Sequence, residues 1–230
     1  VAGFEYLLDN YGSDAVSRQQ IFQPAIDTAN NGYVVGVTFK EELDSEYTGI
    51  AANETLSNIY LDESGLPYEV GDVIKNPDLA KTLQLIADGG KDAFYTGDMA
   101  QAMVDAVAAW GGNMTMEDLA NYEVKVREPV VGHYKDYTIY SLPPASSGGT
   151  HLVEILNILE NYDDMDKIGV NSAEYVHRFS EAFKIAFADR AQYMADTDFA
   201  DVPLAQLTSK DYAAERYSEI TDKSGSYVAV

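Results

Sequence analysis

Apolar residues recur at helical spacing along most of this chain, and four of the stripes they form run into a glycine. A period near 3.6 commits a segment to an amphipathic helix, and a glycine just past the last periodic residue is a stop signal. Phe4, Leu7, Leu8 and Tyr11 form the first stripe, over 2–11, closed by Gly12. Ile21, Ala25, Ile26 and Ala29 form the second, over 21–31, with Gly32 expected as a left-handed stop. Asn76-Pro77 supplies an N-cap and a proline at the first helical position, where the missing N–H has no partner to lose. Leu79, Leu83 and Ile86 follow on one face as far as Gly89-Gly90. Another helix opens near Asp98, carries Met99, Met103, Val107 and Trp110, and ends at Gly111-Gly112. Thr115 and Asp118 have the spacing of a capping box and start a short helix through Tyr122.

The pattern changes between 122 and 142. Val124, Val126, Val130, Tyr134, Tyr137, Ile139 and Tyr140 favour strands, broken by Pro129 and by Lys135-Asp136, which predicts a short strand pair around 123–142. Two helices follow. One covers 149–161. The other starts with Asn171 and Glu174 in capping-box spacing and presents Val176, Phe179, Phe183, Ala186, Phe187 and Met194 as its apolar face. A weak helix over 212–220 ends the pattern, and 65–67 and 197–203 read as loops. The expected fold is mainly α with a small β element, in one largely helical domain over 1–230.

Composition removes several classes of function. A net charge of −23, with only 15 Lys and Arg, argues against nucleic acid and against anionic membrane surfaces. The absence of cysteine excludes disulfides, thiolate metal sites and a cysteine nucleophile. No run approaches the ~18 apolar residues of a membrane span. The chain starts at Val1 without a basic or hydrophobic leader, so no targeting signal is visible.

Chemistry, if any, should centre on Pro143-Pro144-Ala145-Ser146-Ser147-Gly148-Gly149, where a β-prone run meets a helix start. A strained nucleophilic serine there requires G-x-S-x-G, and a phosphate loop requires a lysine after the glycines; neither pattern is present. The spacing favours Ser146 or Ser147 as an N-cap, with the glycines allowing close packing. His151 lies just inside the helix, within range in principle of Ser147 or Thr150, but a lone helical histidine is more often packed or exposed. His133 and His177 complete a scattered set with no i, i+4 pair, which excludes a zinc protease signature. The acidic run at 162–166 lacks the glycine and terminal glutamate of a calcium loop, and Glu41, Glu42, Asp44 and Glu46 read as a solvated face. Asn53 and Asn113 sit in glycosylation sequons that mean nothing without a secretory context. No cofactor is expected.

The stretch from Leu142 to Glu160 resembles the P-P-x-S-S-G-G-x-H-x-x-x-x-L-N-I-L-E segment of γ-glutamyltranspeptidases. Val1 to Phe4, Gln23 to Ile26, Asn76 to Leu85 with Ala93 to Gly97, Thr115 to Tyr122, and Ala186 to Arg190 with Asp196 to Pro203 resemble further family segments in family order. The resemblance implies the helical part of the large subunit of an αββα N-terminal-nucleophile hydrolase. Members are made as one precursor that cleaves itself into two subunits. The threonine freed at the start of the small subunit attacks the γ-glutamyl amide of glutathione and similar compounds, with its own α-amino group as base.

The departures matter equally. The T-T-H-[FY]-S nucleophile motif is absent, Thr150-His151 belongs to a different segment, and the arginine for the substrate carboxylate lies upstream of Val1 in family order. The resemblance therefore places no catalytic, substrate-binding or metal residue in this chain. Ser146, Ser147, Gly148 and Gly149 are not the small-subunit S-S and G-G pairs. The implied partners are the small subunit of the same precursor and, through missing parts, γ-glutamyl substrates. Apolar helical faces are expected to promote self-association of the fragment, and the parent protein is expected to be exported. Two other readings are a related acylase or poly-γ-glutamate-processing enzyme, and a non-catalytic helical binding module.

Overall fold

The structure, a computed structural model, describes residues 1–13 and 15–230. Residues 1–125 and 126–230 form two compact units.

The first unit contains α1 (Ala2–Tyr11), α2 (Arg18–Asn31), β1 (Tyr33–Val34), α3 (Val37–Ser45), α4 (Tyr47–Ala51), α5 (Glu54–Tyr60), β2 (Val73–Ile74), α6 (Pro77–Tyr95), α7 (Gly97–Ala109) and α8 (Met116–Ala120). Helix α2 starts three residues before its apolar stripe because Ser17 and Gln20 form a reciprocal capping box. A start made by polar residues leaves no trace in the hydrophobic pattern. Asn76 caps α6 as expected, its side chain accepting from Leu79 N at 2.9 Å, and Thr115 and Asp118 cap α8 reciprocally.

One core joins α2 to α6 through Ile26, Ala29, Ala80 and Ala87, flanked by Phe22 and Leu83. The alanines let the two helices approach closely and shift the buried face of α6 away from Leu79, which is 46% exposed. Helix α6 does not stop at Gly89-Gly90. It kinks at Gly90 (φ 64°) and resumes to Tyr95. Gly32 is not a left-handed helical stop either. Its φ of 96° and ψ of 168° turn the chain directly into β1, and a Cβ there would overlap Val73 and sit 2.8 Å from Ile74 O. The β1–β2 pair, antiparallel with Tyr33 opposite Ile74, closes a second core of Val35, Leu43, Ile50, Leu61 and Ile74.

The second unit contains β3 (Val130–Tyr134), β4 (Tyr137–Ser141), α9 (Gly148–Leu159), α10 (Ala173–Tyr193), α11 (Leu204–Leu207) and α12 (Lys210–Tyr217). The strands pair antiparallel from Val130 opposite Ser141 to Tyr134 opposite Tyr137. Val124 and Val126 lie outside the ladder, which is shorter than the β-prone run. Helix α9 is the centre of this unit, burying residues on both sides. Ile155, Ile158 and Leu159 pack on Ala182, Ile185 and Ala186 of α10 and Ala213 of α12. Each fully buried aliphatic side chain contributes roughly 1.5–3 kcal/mol.

Helix α10 departs most from the pattern. Its N-cap is Ser172, whose hydroxyl accepts from Tyr175 N, whereas Asn171 lies before it in the left-handed region (φ 63°). Its buried face is Arg178, Glu181, Ala182, Ile185, Ala186 and Asp189. Val176, Phe183 and Phe187 from the expected apolar face are 50%, 45% and 55% exposed. The buried face carries three charged residues, so a hydrophobic count cannot find it.

Candidate functional site

The turn before α9 occupies its serine hydroxyls locally. Ser147 takes the N-cap position with helical φ/ψ and makes no cap with its side chain. Its Oγ instead accepts from Arg190 Nε at 3.0 Å, while Ser146 Oγ accepts from Gly148 N at 3.3 Å. The capping role expected of one of these serines is therefore absent in its usual form. Close packing is present at Gly149, where a Cβ would overlap the Leu142 carbonyl oxygen.

His151 is buried in the first turn of α9. Its Nδ1 lies 3.1 Å from Glu154 Oε2, one helical turn along α9. Glu154 in turn lies close enough to Asp189 of α10 for the two carboxyls to act on each other, and each keeps one buried oxygen without a hydrogen-bond partner. Asp189 Oδ2 accepts from Tyr212 Oη of α12 at 2.8 Å and lies 3.6 Å from Arg216 Nε. Glu154, Asp189 and Arg216 are fully buried. Arg216 uses its other nitrogens on Glu219 Oε1 and the Val228 carbonyl, both at 2.8 Å. One connected polar line thus crosses three helices.

The electrostatics follow from burial. Desolvation pushes the Glu154 carboxyl up to about 9, aided by the adjacent Asp189 carboxyl and opposed by Arg216. Desolvation also lowers His151, with the Arg190 charge adding to it, so the imidazole stays neutral at pH 7. The Tyr212 phenol is raised, first by burial and then by its bond to Asp189. A nucleophile requires a hydroxyl next to a base. Here Ser147 faces a guanidinium and His151 faces a carboxyl, so the arrangement ties helices together and does not activate a hydroxyl.

The other sequence candidates are dispersed. His133 is an exposed ladder residue with Nδ1 3.3 Å from Thr138 Oγ1, and His177 Nε2 sits 2.7 Å from the Thr221 carbonyl. The latter lines a surface cleft of about 740 Å³ in the second unit. The cleft's cation, Arg178, is already paired with Asp164 and Glu174. That pairing also claims one carboxylate of the acidic run at 162–166. Asn53 is an N-cap, accepting from Leu56 N. Among the described residues no cluster of three or more His, Asp or Glu is placed to hold a metal ion. Glu154, Asp189, Tyr212 and Arg216 escaped the sequence reading. Their one signal is phase: Asp189 follows Ile185 by four residues, and Arg216 follows Ala213 by three, on buried stripes.

Comparison with known proteins places the chain. The sequence profile described as gamma-glutamyltranspeptidase matches residues 1–228. A glutathione hydrolase proenzyme of Escherichia coli is 41% identical over 213 residues, covering 93% of this chain and 36% of that protein. An acylase ACY 1 proenzyme of Pseudomonas sp. is 42% identical over 197 residues, covering 86% of the chain and 35% of that protein. The crystal structure of Helicobacter pylori gamma-glutamyltranspeptidase superimposes with a TM-score of 0.91 at 39% identity, covering 97% of this chain and 63% of that one. The chain thus spans about a third of the length of the curated relatives it matches. The mainly helical fold with small β elements is that of the corresponding part of these enzymes, and the chain belongs to the γ-glutamyltranspeptidase family.

Proposed function

We propose that this chain is the helical part of the large subunit of an enzyme that transfers or hydrolyses γ-glutamyl groups. Both compact units belong to that one segment, and the threonine nucleophile and the substrate-binding groups lie elsewhere in the precursor. The observation that carries this reading is coverage: relatives named glutathione hydrolase proenzyme match almost the whole chain, yet the match fills only about a third of them. The candidate hydroxyls support it, since Ser147 is held by Arg190 and no base adjoins it. In the parent protein, the remainder of the precursor is the partner, the γ-glutamyl compound is the substrate, and the protein is exported. Among the described residues no helix is long and apolar enough to cross a membrane.

A γ-glutamyl p-nitroanilide assay tests this. The full-length precursor should release p-nitroaniline after self-cleavage, and the purified 230-residue chain should release none. Release by the chain alone, abolished by Ser147→Ala, would move the chemistry into this segment and overturn the proposal.

A second reading, an acylase of the same fold, rests on the acylase relative being as similar as the glutathione hydrolases. A self-cleaved precursor inert toward the γ-glutamyl anilide but active on an amide with another acyl group would select it.

A further inference from the structure

We propose that Glu154 and Asp189 share one proton inside the second unit, so that the folded chain keeps a neutral carboxylic acid as a latch between α9 and α10. This device lies outside the transfer chemistry and does not depend on it.

The geometry assigns each oxygen. Glu154 Oε2 faces His151 Nδ1, and Asp189 Oδ2 is held by Tyr212 Oη with Arg216 Nε near it. Glu154 Oε1 and Asp189 Oδ1 are both fully buried, and neither has a donor from another group. Two buried carboxylates side by side repel, and one proton placed between these two unpartnered oxygens satisfies both. The charge balance points the same way. Among the described residues Arg216 is the one cation paired with either carboxyl, and it contacts the Asp189 side. The proton is therefore placed on Glu154, the carboxyl farther from the guanidinium contact. With that proton directed at Asp189, Glu154 Oε2 is an acceptor, which sets His151 as the Nδ1–H tautomer.

The groups facing Glu154 come from each packed element. Helix α10 brings Asp189, with Arg190 acting on His151; α12 brings Tyr212 and Arg216. Helix α11 has no titratable residue, and those of the hairpin, His133, Tyr134, Lys135, Asp136, Tyr137 and Tyr140, are exposed or half-buried. Nothing from those elements can neutralise a second buried carboxylate. Deprotonation by hydroxide would leave two adjacent anions against one guanidinium and loosen the α9–α10–α12 joint.

The sign of the pH dependence follows. The folded-state value of Glu154 lies above its ordinary 4.5, at about 9. Its contribution is fully present below about pH 4.5 and is lost as pH rises through that window. Within it, one shared proton changes the folding equilibrium by about tenfold per pH unit.

The experiment compares the full chain with Glu154→Gln by denaturant titration across pH 5 to pH 10. The amide keeps a donor toward Asp189 and an acceptor toward His151 but does not titrate. The wild type should lose stability relative to E154Q by close to tenfold in the folding constant per pH unit up to about pH 9, then run parallel. Identical pH slopes would overturn the proposal. Carboxyl ¹³C titration of the wild-type protein decides independently, including where E154Q fails to fold. A Glu154 resonance still protonated at pH 7 supports the shared proton, and one ionised by pH 5 refutes it.

Discussion

Gly149 sets the position of α9 at its first turn. A methyl group there would overlap the Leu142 carbonyl oxygen and sit 3.1 Å from the Leu142 carbonyl carbon and nitrogen. All three are backbone atoms, which cannot rotate out of the way as a side-chain tip would. Gly149→Ala should therefore cost about 1–3 kcal/mol, the range for overpacking, despite the better helix propensity of alanine. Gly3 in α1 provides the control, since nothing lies within 4 Å of its missing Cβ. Gly3→Ala should be neutral or stabilising by several tenths of a kcal/mol. Urea midpoints of the two variants check this. If G149A matches G3A, the turn relaxes freely and the close approach is not a constraint. The spacing argument anticipated close packing for both glycines, but a Cβ on Gly148 would meet only Ser146 Oγ at 3.5 Å, which is ordinary contact.

At the scale of elements, α10 is held from its buried charged face. Glu181 accepts from Lys184 Nζ at 2.7 Å, Gly225 N at 2.8 Å and Tyr227 Oη at 2.5 Å, which straps the segment after α12 onto α10. Burial alone would raise this carboxyl. The three donors outweigh it and hold Glu181 down at about 2, below its ordinary 4.5. A depressed folded value gives stability that is present above pH 4.5 and lost as pH falls toward 2. The loss should be roughly 2–3 kcal/mol. Glu181→Gln should remove most of that acid-dependent slope, and Tyr227→Phe should reduce it, in denaturant titrations between pH 5 and pH 2. An unchanged slope in E181Q would show that other carboxylates govern acid unfolding. The same helix shows where sequence legibility ended. Helix existence was readable from different signals: an apolar stripe and glycine stop at α1, a stripe and the Asn76 cap at α6, the Thr115–Asp118 capping box at α8, and the start at the glycine pair of α9. The buried side of α10 was not, because Arg178, Glu181 and Asp189 carry the signature of a surface. The candidate network was illegible for the same reason, since partners on three helices turn those charges into interior residues. Strands of two residues, such as β1 and β2, are too short to show alternation.

At the scale of the whole chain, charge opposes folding. Acidic residues number 38 against 15 Lys and Arg. Several cations already serve two carboxylates: Lys40 pairs with Asp44 and Glu69, Arg127 with Asp196 and Asp198, and Arg178 with Asp164 and Glu174. The remaining carboxylates repel one another across the surface, a self-repulsion that weakens the compact state. Salt screens both terms. The Debye length falls from about 30 Å at 0.01 M to about 8 Å at 0.15 M, which removes long-range repulsion first. Exposed ion pairs are also weakened, but each contributes only about 0–1 kcal/mol, and excess anions outnumber them. The net effect of salt should be stabilising. Thermal unfolding at pH 7 should move upward between 10 mM and 500 mM sodium chloride, by about 2–4 °C for each kcal/mol of repulsion relieved. A Tm that stays flat or falls would mean that the ion pairs outweigh the excess charge. The Glu154–Asp189 pair provides an internal reference, because a buried pair is screened far less than the surface. The difference between the wild type and E154Q should therefore keep its pH dependence at either salt concentration, while the absolute stability of both rises.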